Sequence, residues 1–181
     1  YIPVVKIKHK LINDIEIVYM HDLTTGWAEG MNEYGIGIVN TALMVGRDEG
    51  EKKIVKKQGK PSRDGKHIVN ALLHDKIEDV LKHIIDKSVK GHTFIASPKK
   101  LYIVELTSKH QKVFIAERDI NGWYVRTNHG FHYPDAGYTT GEKYLSSKIR
   151  KISVETLKGE VTSAEDLLDK KSFKELCEQF L

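Results

Sequence analysis

Two asparagines follow apolar segments at positions where a side-chain amide could assist a reaction at a carbonyl group. Asn40 is predicted to end the strand 35–40, and Asn128 is predicted to end a later apolar strand that begins near Trp123. A carboxamide stays neutral at any working pH and can donate a hydrogen bond to an oxyanion that develops during acyl transfer. Asparagine is used more commonly to cap turns, so a purely structural role for both residues stays open.

Other reactive side chains offer weaker signals. His129, His132 and Asp135 are spaced closely enough to form a metal-binding site, although histidines of surface loops give the same pattern. Cys177, the single cysteine, lies in an apolar helical pattern and is interpreted as packing rather than as a nucleophile. The sequence contains none of the common phosphate-loop, dinucleotide, zinc-protease or serine-hydrolase motifs. We therefore predict no metal ion and no cofactor.

The composition indicates one domain with a substantial core. Of 181 residues, 40% are hydrophobic and 30% are charged, and the net charge is +4. No apolar run approaches the roughly 20 residues that a membrane-spanning helix needs. The domain is expected to span residues 1–181, without membrane contact. A single cysteine suits a reducing compartment, so a cytoplasmic location is expected.

The segment 46–65 is rich in lysine and glycine and is predicted to be an exposed, flexible loop. Its basic residues could bind phosphate groups, and such binding would weaken steeply with salt. No aromatic residue lies between Arg47 and Lys66, so the loop offers no stacking surface. Nucleic acid is therefore not an expected partner, and steering of acidic substrates is the alternative use of this charge.

The elements that must position these residues follow from periodicity. Alternating apolar residues predict a hairpin around the turn Asn13–Asp14, and a second strand pair, 28–31 and 35–40, around Gly35. Apolar residues at helical spacing predict two helices between Gly65 and Lys87, with Asp75 as the N-cap of the second. Three more strands (93–96, 101–106 and 113–117), a turn at residues 121–122 and two helices (143–151 and 164–180) are expected to follow. This order predicts an α+β fold with an antiparallel sheet.

The segments around the two asparagines also carry a resemblance. Gly30-Met31-Asn32-Glu33, then Gly35-Ile36, the helix pair, and strands leading to Thr127-Asn128 are together similar to the linear amide C–N hydrolases. These are the choloylglycine hydrolases, penicillin acyltransferases and acid-ceramidase-like amidases of the N-terminal-nucleophile hydrolases. The similarity covers most of the chain in order, including residues 146–150, which resemble a Ser–Arg segment that opens a later helix.

The resemblance implies a four-layer αββα sandwich of two antiparallel sheets with helices outside. It also implies cleavage of a linear amide by an N-terminal cysteine, whose own α-amino group accepts the thiol proton. Water or a second amine then releases the acyl group, so a hydrolase and an acyltransferase are both implied. The expected partner is a small-molecule amide, and family members often associate as oligomers.

Residue by residue, Asn128 matches the second active-site asparagine of the family. Asn40 matches the first less closely, because in the bile-salt hydrolases the strand runs two residues further, to the position of Ala42 here. The family also has a cationic active-site residue in its later part, and Arg150 or Lys148 could supply it. Arg150 is preferred because a planar guanidinium binds a carboxylate or carbonyl oxygen better than an ammonium group does. Substrate-binding candidates are Asn32, Thr127 and His129.

The nucleophile of the family is not in this sequence. Its cysteine is expected upstream of Tyr1, and the final strands of the family domain are expected beyond Leu181. The chain thus resembles a central portion of the domain, incomplete at both ends, and alone it is expected to be inactive as an amidase. It could belong to a longer enzyme or associate with a chain that carries the missing parts. The alternative is a catalytically inactive binding or assembly protein on the same scaffold.

Overall fold

The computed structural model describes residues 4–43, 63–107, 113–120 and 122–157. In these ranges the chain forms seven strands and three helices, which confirms the predicted α+β class. The strands are β1 (Val5–Ile12), β2 (Ile15–Asp22), β3 (Ala28–Asn32), β4 (Gly37–Thr41), β5 (Gly91–Ala96), β6 (Leu101–Leu106) and β7 (Phe114–Arg118). The helices are α1 (Arg63–Ala71), α2 (Ile77–Asp86) and α3 (Gly141–Leu157).

The seven strands form one antiparallel sheet in the order of the sequence, β1 to β7. The two predicted turns lie where the sequence puts them. Asn13 and Asp14 have φ angles of 52° and 60°, and Gly35 has a φ of 73°. Asparagine, aspartate and glycine tolerate this left-handed region better than other residues do, so these residue types fix the turns and the register of both hairpins.

Helices α1 and α2 cover one face of the sheet and form the core with it. The strand residues on this face are buried because each second position points toward the helices. The buried cluster includes Ile17, Ile38, Ile95 and Val104 from the strands and Ile68, Leu72, Val80 and Ile84 from the two helices. We refer to this side of the sheet as the helix face.

The opposite face of the sheet is covered only in part by the described residues. At the β5–β7 end, segment 126–133 packs on it, and His92, Ile103 and Glu105 are buried there. At the β1–β4 end, the exposed large apolar side chains of the same face include Ile7, Val18, Met20, Met31 and Val39. We call these five residues the bare face; they lie along an open trough of about 800 Å³.

Three local predictions were wrong. Asp75 does not cap α2, because the N-cap is Lys76, which makes no side-chain cap hydrogen bond. Asn128 does not end a strand, because residues 122–128 run without strand pairing. Helix α3 is longer than residues 143–151 and ends at Leu157.

Two predicted elements lie wholly or mostly outside the described residues. The predicted helix 164–180 is one of them. The other is the predicted loop 46–65, of which only residues 63–65 are described, and these begin α1. Of the helices that the described ranges contain, none has both the length and the apolarity needed to cross a membrane.

Candidate functional site

Asn128 and Arg150, which the resemblance nominated from separate segments, are joined directly. The Arg150 Nη2 atom donates a hydrogen bond to Asn128 Oδ1 at 2.8 Å. Asn128 Nδ2 in turn donates to the Ala42 carbonyl oxygen at 2.9 Å. Three parts of the chain, the end of β4, segment 126–130 and helix α3, therefore meet at one side-chain amide.

These two contacts fix which way the amide of Asn128 is turned. A guanidinium can only donate, so it must face the amide oxygen, and a backbone carbonyl can only accept, so it must face the amide nitrogen. The nitrogen carries two hydrogens, and in the described contacts Ala42 uses one of them. The other is available for an acceptor, which is what stabilisation of an oxyanion requires.

The neighbouring candidates Thr127 and His129 are both buried, and His129 contacts α3. His129 Nδ1 lies 2.9 Å from Ser147 Oγ on α3 and 3.1 Å from Thr127 Oγ1. Burial lowers the pKa of His129 below its usual value, and Lys148 and Lys151 lower it further. A neutral imidazole that links two buried hydroxyls sets the position of α3, and hence of Arg150, relative to Asn128.

Asn40 is buried on the helix face, away from this group. Its neighbour Thr41 is paired with His92, so the alternation along β4 turns Asn40 to the opposite side of the sheet. Its amide nitrogen donates to Thr93 Oγ1 at 2.7 Å and to the Lys90 carbonyl at 3.1 Å. The structure therefore brings Asn128 and Arg150 together, and places Asn40 where it ties β4 to β5.

Asn32, a substrate-binding candidate, also has a clear structural position. Its Nδ2 atom donates to the carbonyls of Leu72 at 3.0 Å and His74 at 2.8 Å, and its Oδ1 atom accepts from Ile36 N–H at 3.0 Å. The three partner groups lie where the β3–β4 hairpin meets the end of α1. Asn32 thus fastens the sheet to the helix layer.

Two residues near Asn128 were missed by the sequence analysis. Glu105 on β6 and His92 on β5 are paired in register on the face opposite the helices, and both are buried. Glu105 accepts hydrogen bonds from the backbone of residues 131–133, and His92 Nε2 lies 3.0 Å from the His129 carbonyl. A signal was present in the sequence, because a glutamate inside the otherwise apolar strand 101–106 is costly unless it is paired.

The surroundings of Asn128 are rich in positive charge. Helix α3 carries Lys148, Arg150 and Lys151 along the part of its length that lies near segment 126–130. Lys151 is paired with Glu155, and Lys148 lies over the ring of Tyr144 at 4.9 Å. This field favours negative charge at the Asn128 amide, whether on a substrate or on an intermediate.

His129, His132 and Asp135 do not form a metal-binding site. The ring of His132 is stacked on Phe114 at 4.1 Å, and His129 faces hydroxyl groups instead. Among the residues that the structure describes, no group of three or more histidine, cysteine, aspartate or glutamate side chains could hold a metal ion.

Comparison with known proteins adds no family assignment. Neither the scan against protein-family models nor the searches of curated proteins and solved structures found a significant match to this chain.

Proposed function

We propose that this chain is the central part of a hydrolase or acyltransferase that acts on a linear amide C–N bond. In this proposal the nucleophile is an N-terminal cysteine of the mature enzyme, outside the 181 residues. Asn128 donates to the oxyanion and Arg150 orients Asn128. Asn40 and Asn32 hold the scaffold.

One observation carries the proposal: the 2.8 Å hydrogen bond between Arg150 and Asn128. The resemblance nominates these two residues from separate segments of the sequence, and their side chains are in direct contact. Their contact gives the amide a fixed orientation and leaves it one hydrogen to donate. A preoriented neutral donor in a positive field is suited to a developing oxyanion.

The proposed reaction begins when the cysteine thiol attacks the amide carbonyl and its own α-amino group takes the thiol proton. A free α-amine has a pKa of about 7.7–8.0, so it can act as a base near neutral pH. The carbonyl oxygen becomes an oxyanion and accepts a hydrogen bond from Asn128 Nδ2. The C–N bond then breaks, the amine leaves with the proton, and water or another amine releases the acyl group.

The bare face supports the four-layer sandwich that the resemblance implies. Its five residues form one apolar surface on the sheet, opposite to α1 and α2. Exposed apolar surfaces of this kind mark contacts with another element or protein. In the proposed enzyme a second antiparallel sheet packs here and brings the nucleophile toward Asn128, which lies on the same side of the sheet.

The second candidate is a binding or assembly protein without catalysis, and the bare face favours it too. An apolar sheet surface could be covered by a protein partner as well as by a further part of the same chain. The two candidates differ in the nucleophile, because an assembly protein needs no cysteine upstream of Tyr1.

The deciding experiment is the N-terminal sequence and intact mass of the natively expressed protein, followed by assays on a panel of N-acyl amino acids. We expect a mature N-terminal cysteine and an activity that thiol alkylation abolishes. Asn128→Ala should lower kcat about 10²–10³-fold, the usual cost of removing an oxyanion donor. Asn70→Ala, a change of a half-buried asparagine on α1, is the matched control. A native product that begins near Tyr1 would exclude the enzyme and leave the assembly role.

A further inference from the structure

The strongest unexplained feature outside the proposed donor pair is Glu105. This side chain is 1% exposed and lies in β6, among apolar residues. A buried carboxylate is stable only when hydrogen bonds replace the water it has lost. The hydrogen-bond donors that contact Glu105 therefore indicate its role.

Three successive backbone N–H groups supply those hydrogen bonds. Glu105 Oε2 accepts from His132 at 2.8 Å and from Phe131 at 3.2 Å, and Oε1 accepts from Tyr133 at 3.0 Å. Hydrogen bonds to a carboxylate are stronger than those between neutral groups. The carboxylate therefore attaches residues 131–133 to β6.

These residues form the tip of a closed loop whose base carries Asn128. The base is joined by the bridge between His129 and Gly137 and by the hydrogen bond from Tyr138 N–H to the Asn128 carbonyl at 2.8 Å. Inside the loop, Gly130 N–H donates to the Ala136 carbonyl at 2.8 Å. The loop is thus internally bonded, so fixing its tip fixes its base.

His92 provides a second attachment next to Glu105. Its Nε2 atom lies 3.0 Å from the His129 carbonyl, and it must be the donor because a carbonyl only accepts. Its ring also meets the edge of the Phe131 ring, with the centroids 5.3 Å apart. Glu105 and His92 together hold the loop at its tip and beside Asn128.

We infer that Glu105 is a positioning residue that fixes where Asn128 lies by clamping the loop 128–138 to β6, so that Arg150 and the Ala42 carbonyl can orient its amide. The catalytic consequence rests on the proposed function, whereas the clamp itself does not. The alternative is that Glu105 only adds stability to the fold.

The clamp is tested by amide hydrogen exchange on the 181-residue protein. Glu105→Gln replaces one acceptor oxygen by an NH₂ group that faces a backbone N–H, so the amides of residues 130–138 should exchange about tenfold faster or more. Amides of β2 and β3 should be unchanged. Glu117→Gln, a change of an exposed glutamate on β7, is the control. Unchanged exchange in the loop would overturn the clamp.

Glu105→Asp keeps the charge, but its side chain is one methylene shorter, so the carboxylate lies further from the N–H groups of residues 131–133. It should give a smaller acceleration confined to the same loop, and it serves as the test if the glutamine variant does not fold. Acceleration spread evenly over the whole sheet in this variant would show a general stability role and would overturn the inference.

The catalytic consequence is tested in the protein that carries the upstream cysteine. Glu105→Gln should lower kcat by about 10–100-fold, with KM changed less than about threefold, because a donor misplaced by about 1 Å costs rate rather than binding. Glu105→Asp should recover part of kcat. A kcat that stays within about twofold of wild type, or a KM that rises as much as kcat falls, would overturn the positioning role. A wild-type protein without amidase activity would overturn the catalytic part together with the proposed function, and the exchange result would still decide the clamp.

Discussion

Arg150 donates a hydrogen bond from Nη2 to Oδ1 of Asn128 at 2.8 Å, and it does so across 22 positions of the sequence. The bond joins helix α3 to a segment that has no regular secondary structure of its own. Asn128 therefore takes its orientation from α3 and from the Ala42 carbonyl at the end of β4. A side chain held from two elements is more precisely placed than one held by its own loop.

The first prediction separates Arg150 from Lys148 as the cation of the site. In the proposed full-length enzyme, Arg150→Lys should lower kcat by about 10–100-fold, because a flexible ammonium group does not reproduce the planar guanidinium that orients Asn128. Lys148→Ala should change kcat less than about threefold, since Lys148 lies over Tyr144 instead. Steady-state kinetics on the same substrate panel measure both, and the reverse order would assign the role to Lys148.

A second prediction concerns the glycine that closes the loop. Gly137 has a φ of 71°, and a Cβ added there would lie 2.4 Å from the Asn128 carbonyl oxygen. Gly141 has a φ of 75° with nothing within 4 Å of an added Cβ. Gly141→Ala should cost about 1–2 kcal/mol, the penalty of the left-handed backbone.

Gly137→Ala should lower the free energy of unfolding by more than Gly141→Ala does, because a backbone clash is added to the same conformational penalty. Urea unfolding of both variants measures the difference. Equal losses of unfolding free energy in the two variants would show that the loop around Gly137 shifts to relieve the clash without further loss of stability.

The third prediction addresses the attachment of the helix layer. Asn32→Ala removes the partner of the Leu72 and His74 carbonyls and of Ile36 N–H. Each buried group left unpaired costs about 1–3 kcal/mol, so the free energy of unfolding should fall by at least that amount. Asn70→Ala on α1 should change it much less. A loss for Asn32→Ala no larger than that of the control would contradict the role of Asn32.

The fourth prediction is a dependence of stability on pH that involves three histidines between α1 and α2. His83 Nδ1 lies 3.4 Å from His74 Nε2, and the ring centroids of His83 and His67 are 6.3 Å apart. Burial lowers the pKa of His83 below 6.5, and His74, Lys87 and His67 lower it further, while Asp86 acts in the opposite direction. The folded state therefore binds a proton at His83 less readily than the unfolded state does.

Because the unfolded chain binds more protons, stability should fall as the pH drops from 7.5 through 6.5 to about 5.5. The pKa values of His92 and His129 are also lowered by burial, so they add to the same slope. His83→Gln cannot take up the proton, and urea unfolding at several pH values should give a shallower slope for it. A slope equal to that of wild type would exclude His83 as a contributor.

The fifth prediction tests the four-layer arrangement. Met20 and Met31 are 42% and 53% exposed on the bare face. In the 181-residue protein both should be oxidised readily by hydrogen peroxide, because exposed thioethers react fastest. In the longer protein that the proposed function requires, a second sheet should protect both, which mass spectrometry of peptides would show. Equal oxidation in the two proteins would mean that nothing covers this face.

Residue types and their spacing in the sequence predicted many of the strands, turns and helices of this fold. Alternating apolar residues predicted β1 to β4, and the turns at Asn13, Asp14 and Gly35 were confirmed because few other residue types accept their backbone angles. The apolar spacing of α1 and α2 gave their positions and their buried faces, which depend only on helical periodicity. The resemblance nominated Asn128 and Arg150 from separate segments, and these two side chains are joined by a hydrogen bond.

Tertiary structure decided the rest, because the rest depends on contacts between distant residues. Sequence spacing could not show that Asn40 turns to the helix face while Asn128 meets Ala42, 86 positions away. Nor could it show that Glu105 holds the loop 128–138, because its partners are the backbone N–H groups of residues 131–133, and every residue type except proline carries such a group. Side-chain types set the strands and turns, whereas the site is set by which backbone groups and side chains the completed sheet brings together.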